Sequence, residues 1–282
     1  LSDIGPGDEV ILPSYTFTSA ATAVTKFGAT PVFVDIESST KGINIQQVHE
    51  AITPKTKAIS WVNYAGIAPD VEGLQNLARD YDLILIEDNA HGLGGSFKGK
   101  PLGSFGDFAT QSFHASKNIQ CGEGGALVIN NQKFLERAEI IREKGTDRSR
   151  FMRGEIQKYQ WVDHGSSYLL AENLAAILLG QLEQLIEIQI RRDDIFNRYY
   201  QELCNWAVEN NLELSFTRTS DVHTAHMFYL VAETQQSRDL LMQKLHGLGI
   251  QALFHYQSLA DSIMGSKYGL HSKPLQISQR MS

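Results

Sequence analysis

The chain is poor in cysteine, in long apolar runs and in excess positive charge, and each shortage narrows what it can be. Its two cysteines, Cys121 and Cys204, fall in no CxxC or Cys/His spacing, which argues against a disulfide framework or a metal site. A reducing, cytoplasmic setting is therefore expected. No stretch approaches the ~20 apolar residues that a membrane-spanning helix requires, and the start, Leu1-Ser2-Asp3-Ile4, lacks the basic and apolar regions of a secretory signal. No membrane partner is expected. With 25 Lys+Arg against 32 Asp+Glu and a formal charge of −7, the protein offers no broad basic surface to nucleic acid. An anionic ligand would have to be held locally, by single Arg or Lys side chains or by backbone N–H groups. A G-x-G-x-x-G turn opening a helix is also lacking, since Gly92-Leu93-Gly94-Gly95 is only a fragment of it; this disfavours a nicotinamide-dependent oxidoreductase.

What is present is globular: 42% hydrophobic and 20% charged residues, arranged in regular alternation. Short β-rich runs at 9–12, 31–36, 57–62 and 83–87 alternate with helical patterns at 18–27, 44–52 and 71–81. That order predicts an α/β fold of βαβ units with a mainly parallel sheet. Strand-like runs at 108–113 and 125–129 lie close together ahead of a helix at 132–143, and predict a locally antiparallel portion. Residues 145–165 are polar and irregular, with Arg148, Arg150, Arg153 and Lys158 interleaved with Phe151, Tyr159 and Trp161. A solvated loop and a binding loop fit that composition equally. Leu174, Ile177, Leu178, Leu182, Leu185 and Ile188 then form an apolar stripe that predicts one long helix over 171–205. Strand-like 227–231, a helix at 237–248 and strand-like 250–255 predict a smaller α+β domain, while the tail beyond Ala260 has little periodicity. The expected organisation is a large domain over 1–170, a connecting helix over 171–205 and a small C-terminal domain over 206–282.

In open parallel sheets ligands bind beyond the carboxyl ends of the strands. There the run Leu83-Ile84-Leu85-Ile86 leads into Glu87-Asp88-Asn89-Ala90-His91, so Asp88 faces the ligand edge, either as a functional carboxylate or as a helix cap. Farther on, Ser112-Phe113-His114-Ala115-Ser116-Lys117-Asn118 follows a strand and precedes Gly122-Glu123-Gly124-Gly125. A lysine among apolar neighbours can lose its proton and act through a free amine. The flanking hydroxyls suit a phosphate and the glycines allow close backbone approach. Lys117 and Asp88 together match what pyridoxal phosphate needs: an amine for its aldehyde carbon and a carboxylate for its ring nitrogen.

These segments, with Gly7-Asp8-Glu9-Val10-Ile11-Leu12-Pro13-Ser14-Tyr15-Thr16-Phe17, resemble the DegT-type sugar-nucleotide aminotransferases, which are fold-type I pyridoxal phosphate enzymes. The resemblance runs in register from about Ile4 to Tyr256. It implies that Lys117 carries the cofactor as a Schiff base, Asp88 pairs with its ring nitrogen and Phe17 stacks on its ring. Ser112 would bind the cofactor phosphate. His91 stands where the family usually has Gln near the ring hydroxyl, and Asn63 replaces a more usual His. Ser167 occupies the place of an Asn that reaches the neighbouring subunit's cofactor phosphate, which implies a homodimer. The stretch 142–149, continued through Lys158-Tyr159-Gln160-Trp161 and Gly165-Ser166-Ser167-Tyr168, is similar to the branch that forms dTDP-4-amino-4,6-dideoxygalactose for surface polysaccharides. The substrate implied is a dTDP-4-keto-6-deoxy-hexose, with L-glutamate as amino donor. Arg148, Arg150, Arg153 and Lys158 are candidates for its phosphates, and His255-Tyr256 for contact with the sugar. The family's phosphate-binding Gly-Thr or Ser-Thr loop would precede Leu1, and the segment closing the small domain would follow Ser282, so truncation at both ends is expected. Two competing readings are an inactive domain serving as a binding or interaction protein, and a pyridoxamine-dependent sugar dehydratase. The dehydratases carry His in place of the Schiff-base lysine, which Lys117 opposes; His114 reads as a packed neighbour rather than a substitute base.

Overall fold

The first strands are buried almost along their whole length, as strands covered on both faces of one sheet must be. The computed structural model describes residues 1–217 and 221–282. Strands β1 (Glu9–Pro13), β2 (Thr30–Val34), β3 (Thr56–Val62) and β4 (Ile84–Asp88) are followed by a two-strand hairpin, β5 (Ser96–Phe97) with β6 (Lys100–Pro101), and then by β7 (Phe108–Ser112) and β8 (Gly125–Ile129). The main sheet runs β2-β1-β3-β4-β7-β8. Its members are parallel except for β8, which returns antiparallel along β7. The crossovers are α1 (Thr18–Thr25), α2 (Ile45–Ala51) and α3 (Val71–Tyr81).

Neighbouring residues on a strand point to opposite faces, so each strand contributes to two cores. Ile11, Ile59, Trp61 and Leu85 pack with Val48 and Ala51 of α2 and Leu74 and Ala78 of α3. On the other face Val10, Ala58, Ile84 and Ile86 pack with Val24 of α1. Helix α3 keeps its expected bounds because both ends are specified locally. The Asp70 carboxylate accepts from the Gly73 N–H at 3.0 Å, and Asp82 at φ 53 turns the chain out of the helix.

The second part of the chain contains α4 (Leu135–Arg142), α5 (Arg148–Met152), α6 (Glu172–Glu183), α7 (Leu185–Glu209), β9 (Glu213–Leu214), β10 (Leu230–Val231), α8 (Gln235–Gly247), α9 (Ile263–Tyr268) and α10 (Gln276–Met281). The long helix expected over 171–205 is in fact two, separated at Gln184, where φ −103 and ψ 9 leave the helical region. The break has a packing reason. It lets Leu174 and Leu178 of α6 and Leu185 and Ile188 of α7 cover one patch formed by Phe113, Ile119 and Cys121. Of the strand expected over 227–231 only Leu230–Val231 forms, paired antiparallel with β9. Residues 250–255 form no strand. Leu253 and Phe254 stand exposed and β9 and β10 hydrogen-bond to each other, so that run has no partner edge among the described residues.

The segment 259–282 returns to the sheet. Leu259, Ala260 and Leu275 pack on Leu12 and Phe33. Leu270 pairs in parallel with Val32 at the sheet's edge, accepting from the Phe33 N–H at 2.7 Å and donating to the Pro31 carbonyl at 2.9 Å. The buried Asp35 carboxylate receives the N–H groups of Ile277 at 2.8 Å and Ser278 at 2.7 Å and the Ser278 hydroxyl at 2.7 Å. Among the described residues no helix is long and apolar enough to cross a membrane.

Candidate active site

The site lies where the parallel strands end. β4 finishes in Asp88, whose Val62 and Thr110 neighbours on β3 and β7 fix its height in the sheet. Just before it, Glu87 is fully buried and gathers four donors: Asn63 Nδ2 at 2.8 Å and the backbone N–H groups of Gly103 at 2.6 Å, Phe105 at 2.9 Å and Gly106 at 3.3 Å. Glu87 thus ties the turn after β6 to the base of the site. Glu87→Ala leaves those donors buried without an acceptor and is expected to lower stability by about 4 kcal/mol, with a smaller loss for Glu87→Gln. Urea unfolding midpoints of the two variants check the order.

Lys117 sits on the loop from β7 to β8. Backbone hydrogen bonds close that loop on itself: Phe113 N–H to the Gly124 carbonyl and Ala115 N–H to the Gly122 carbonyl, both at 2.8 Å, and Cys121 N–H to the Phe113 carbonyl at 3.0 Å. Gly122 adopts φ +89, a conformation that side-chain-bearing residues rarely take. Ile119 and Cys121, both buried, press the loop onto α6 and α7, so the apolar stripe of those helices supports the lysine. Burial pulls the Lys117 amine below its ordinary range while the Asp88 carboxylate pulls it back up. Burial likewise raises Asp88, against the Ala90 N–H, which donates to Asp88 Oδ1 at 3.0 Å, and the Lys117 charge. Desolvation dominates for both groups, so each is biased toward its neutral form.

A pocket lined by His91, Ser112, Lys117, Asn118 and His226 brings together four of the residues singled out in the sequence or their neighbours. His91 is buried, and burial lowers its pKa well below the ordinary imidazole range. His255 and Tyr256 form an aromatic wall with Tyr15, Tyr64 and Phe17. Tyr64 Oη and His255 Nδ1 are 3.2 Å apart, Tyr15 donates to the His255 carbonyl, and the Phe17 and Tyr256 ring centroids lie 6.2 Å apart. Burial raises the Tyr15 and Tyr256 hydroxyls to about 12, so both remain donors. Phe17 is itself exposed, with an open ring face.

The other candidates are not gathered there. Arg148 pairs with Glu143 at 2.7 Å, Arg150 with Glu136 and Glu155 at 3.5 and 3.3 Å, and Arg153 with Glu139 and Glu155 at 2.9 and 2.6 Å. Lys158 is exposed. Ser167 is exposed too, bridged to Glu143 through the backbone. The sequence reading missed His226, which stacks on His91, and Arg192, which donates Nη2 to the His226 carbonyl at 2.7 Å. A pair of histidines three residues apart, His223 and His226, was their only local signal. Burial takes His226 from 6.5 to about 3. Its folded pKa is thus depressed, so its contribution to stability is complete above pH 6.5 and is lost as the pH falls toward about 3. Denaturant midpoints measured between those pH values should fall less steeply in His226→Phe than in the wild type.

The donor set fits pyridoxal phosphate. Lys117 supplies a partly desolvated amine, Asp88 a half-buried carboxylate whose hydrogen bond among the described residues is from one backbone N–H, and Ser112 a hydroxyl lining the same pocket as Lys117.

A mixed, mostly parallel sheet, with an amine electrostatically coupled to a carboxylate at its strand ends, is the arrangement of a pyridoxal phosphate-dependent aminotransferase. The chain belongs to the DegT/DnrJ/EryC1/StrS aminotransferase family, whose pattern matches residues 1–281. Among solved structures it is similar to the aminotransferase TlmJ from Streptoalloteichus hindustanus, at 28% identity over 99% of this chain and 72% of that one, with a TM-score of 0.88. It is also similar to DesV from S. venezuelae, solved with a ketimine intermediate, at 31% identity over 99% of this chain and 71% of that one (TM-score 0.86). Spr1654 from Streptococcus pneumoniae, described as a sugar aminotransferase and solved in its PLP-form, matches at 28% identity over 95% of this chain and 72% of that one (TM-score 0.82).

Proposed function

We propose that the protein transfers an amino group from L-glutamate to C4 of a dTDP-linked 4-keto-6-deoxy-hexose, giving a 4-amino-4,6-dideoxy sugar for surface-polysaccharide assembly. The observation that carries this reading is the electrostatic coupling of the Lys117 amine, in the wall of the pocket, to the Asp88 carboxylate that ends β4. Bound pyridoxal phosphate supplies an electron sink for the carbon from which a proton is removed.

The chain's own residues divide the remaining work. Lys117 Nζ is the attachment point, and once displaced by an incoming amine it takes the proton from one carbon and returns it to another; its lowered pKa keeps a fraction of it unprotonated for that task. Asp88 holds a proton on the ring nitrogen, and burial strengthens that pairing by excluding water. Ser112 donates to the cofactor phosphate and Phe17 offers its exposed face to the ring. His255 and Tyr256, backed by Tyr15 and Tyr64, form the wall against which the sugar rests. Ser167 and the exposed apolar residues of α6 and α7, Ile177, Leu179 and Ile186 among them, face a second copy in a homodimer.

An assay coupling glutamate to dTDP-4-keto-6-deoxyglucose tests this, with NMR of the product at C4. Formation of the amino sugar with stoichiometric 2-oxoglutarate is the expected result. No amino sugar from any 4-keto sugar nucleotide overturns the substrate assignment.

A further inference from the structure

The segment around His226 is tied to the Lys117 loop at several points. Asn118 Nδ2 donates to the Thr224 carbonyl at 2.7 Å, and Asn118 Oδ1 lies 2.8 Å from His226 Nδ1. The Thr224 hydroxyl donates to the His91 carbonyl at 2.6 Å, and Arg192 on α7 grips the carbonyls of Ala225 at 3.2 Å and His226 at 2.7 Å. The His226 and His91 rings stack at 4.2 Å between centroids and 22° between planes.

These contacts fix both tautomers. Asn118 has its amide nitrogen committed to a carbonyl, so its oxygen faces His226 and accepts; His226 Nδ1 therefore carries the hydrogen and Nε2 the lone pair. On His91 the relation is reversed. The Ala65 backbone N–H points at Nδ1 from 3.3 Å, so Nδ1 accepts and Nε2 carries the hydrogen. That Ala65 contact is long, and alone it holds the His91 ring loosely. The stacked face of His226 supplies the second constraint. An uncharged ring is also the form that Lys117 tolerates beside it, because a second cation in that pocket would repel its ammonium.

We infer that His226 is a positioning residue for this centre: its Nδ1–H fixes Asn118 beside Lys117, and its ring face holds His91 with Nε2–H directed as a donor to an anionic oxygen of the bound cofactor. The inference rests on the proposed cofactor site, but its first test does not need the cofactor. In apo protein labelled with 15N-histidine, long-range 1H–15N spectra at pH 7 should show His226 protonated at Nδ1 and His91 protonated at Nε2. In His226→Leu, which removes the aromatic face, the two His91 nitrogens should move toward averaged shifts, with the backbone amide spectrum otherwise retained. In His226→Phe, which keeps the face and removes the donor, His91 should keep its Nε2–H signal. In the loaded enzyme His226→Phe should lower kcat about tenfold with the KM for the amino donor unchanged, and His226→Gln, which restores a donor to Asn118, should recover part of that loss. The opposite tautomers in the wild type, or a His91 signal indifferent to His226→Leu, overturns the inference even if the enzyme is active. If His226→Leu does not fold, the wild-type tautomers and His226→Phe decide alone. Failure to bind pyridoxal phosphate would sink the proposed function while leaving the tautomer measurement readable.

Discussion

Lys117→Ala leaves a protein that no longer holds pyridoxal phosphate covalently: the visible absorbance of the loaded wild type is absent, and borohydride reduction fails to fix cofactor to the chain. Amino transfer falls by about 10⁴-fold, the upper range for loss of a positioned proton-transfer group. The size of the effect follows from the loop. The backbone bonds from Phe113 to Gly124 and the support of Ile119 and Cys121 hold position 117 without help from its side chain. The variant therefore folds, and the loss is chemical. Noncovalent binding should persist through Ser112 and Asp88, so addition of a small primary amine should restore a measurable rate. A variant that retained wild-type turnover would remove Lys117 from the mechanism.

Asp88→Asn produces the second large effect and a different signature. An amide cannot hold a proton on the ring nitrogen, so turnover should fall by about 10²- to 10³-fold, comparable with removal of one buried electrostatic group from an active site. Covalent attachment survives because Lys117 is intact. Its pH dependence moves, and the sign can be worked out: Asp88 raises the Lys117 pKa, so its removal lowers it further below 10.5. Attachment of cofactor to the apo variant should then proceed at lower pH than in the wild type. Titration of absorbance against pH checks the shift, and a shift upward would contradict the electrostatic coupling.

How much of this was legible in the chain depended on whether the determinants were local. β4 and its terminal acid could be read because an apolar run stops abruptly at Glu87 and Asp88, and parallel sheets place their ligands at that edge. Helix α3 carries its own start and stop signals in Asp70 and Asp82. Gln184 gives no such warning, since Gln is a good helix former; the kink there is imposed by a patch built from Phe113, Ile119 and Cys121, far off in sequence. The run 250–255 has strand composition, yet composition cannot supply a partner edge. The same holds for the site. Lys117 and Asp88 announce themselves by their surroundings, whereas His226 acquires meaning only when residue 226 meets Asn118, 108 positions away. For the arginines from 148 to 153 composition left a solvated loop and a binding loop open, and their pairing with Glu143, Glu139 and Glu155 depends on neighbours that charge alone does not reveal.

The clamp of Asp35 on Ile277 and Ser278 also sets an order of events during synthesis. Strand β2 is made well before Leu270, which pairs along its edge, and the Asp35 carboxylate that follows it is made well before Ser278, its partner. Until then an unpaired strand edge and a partly covered apolar face remain open to other nascent chains. Closing the gap between residues 35 and 278 is a late, nonlocal step. Ser278→Val, which removes the hydroxyl bonded to Asp35, should therefore cost soluble yield more than it costs the chemistry at Lys117, which lies outside the clamp.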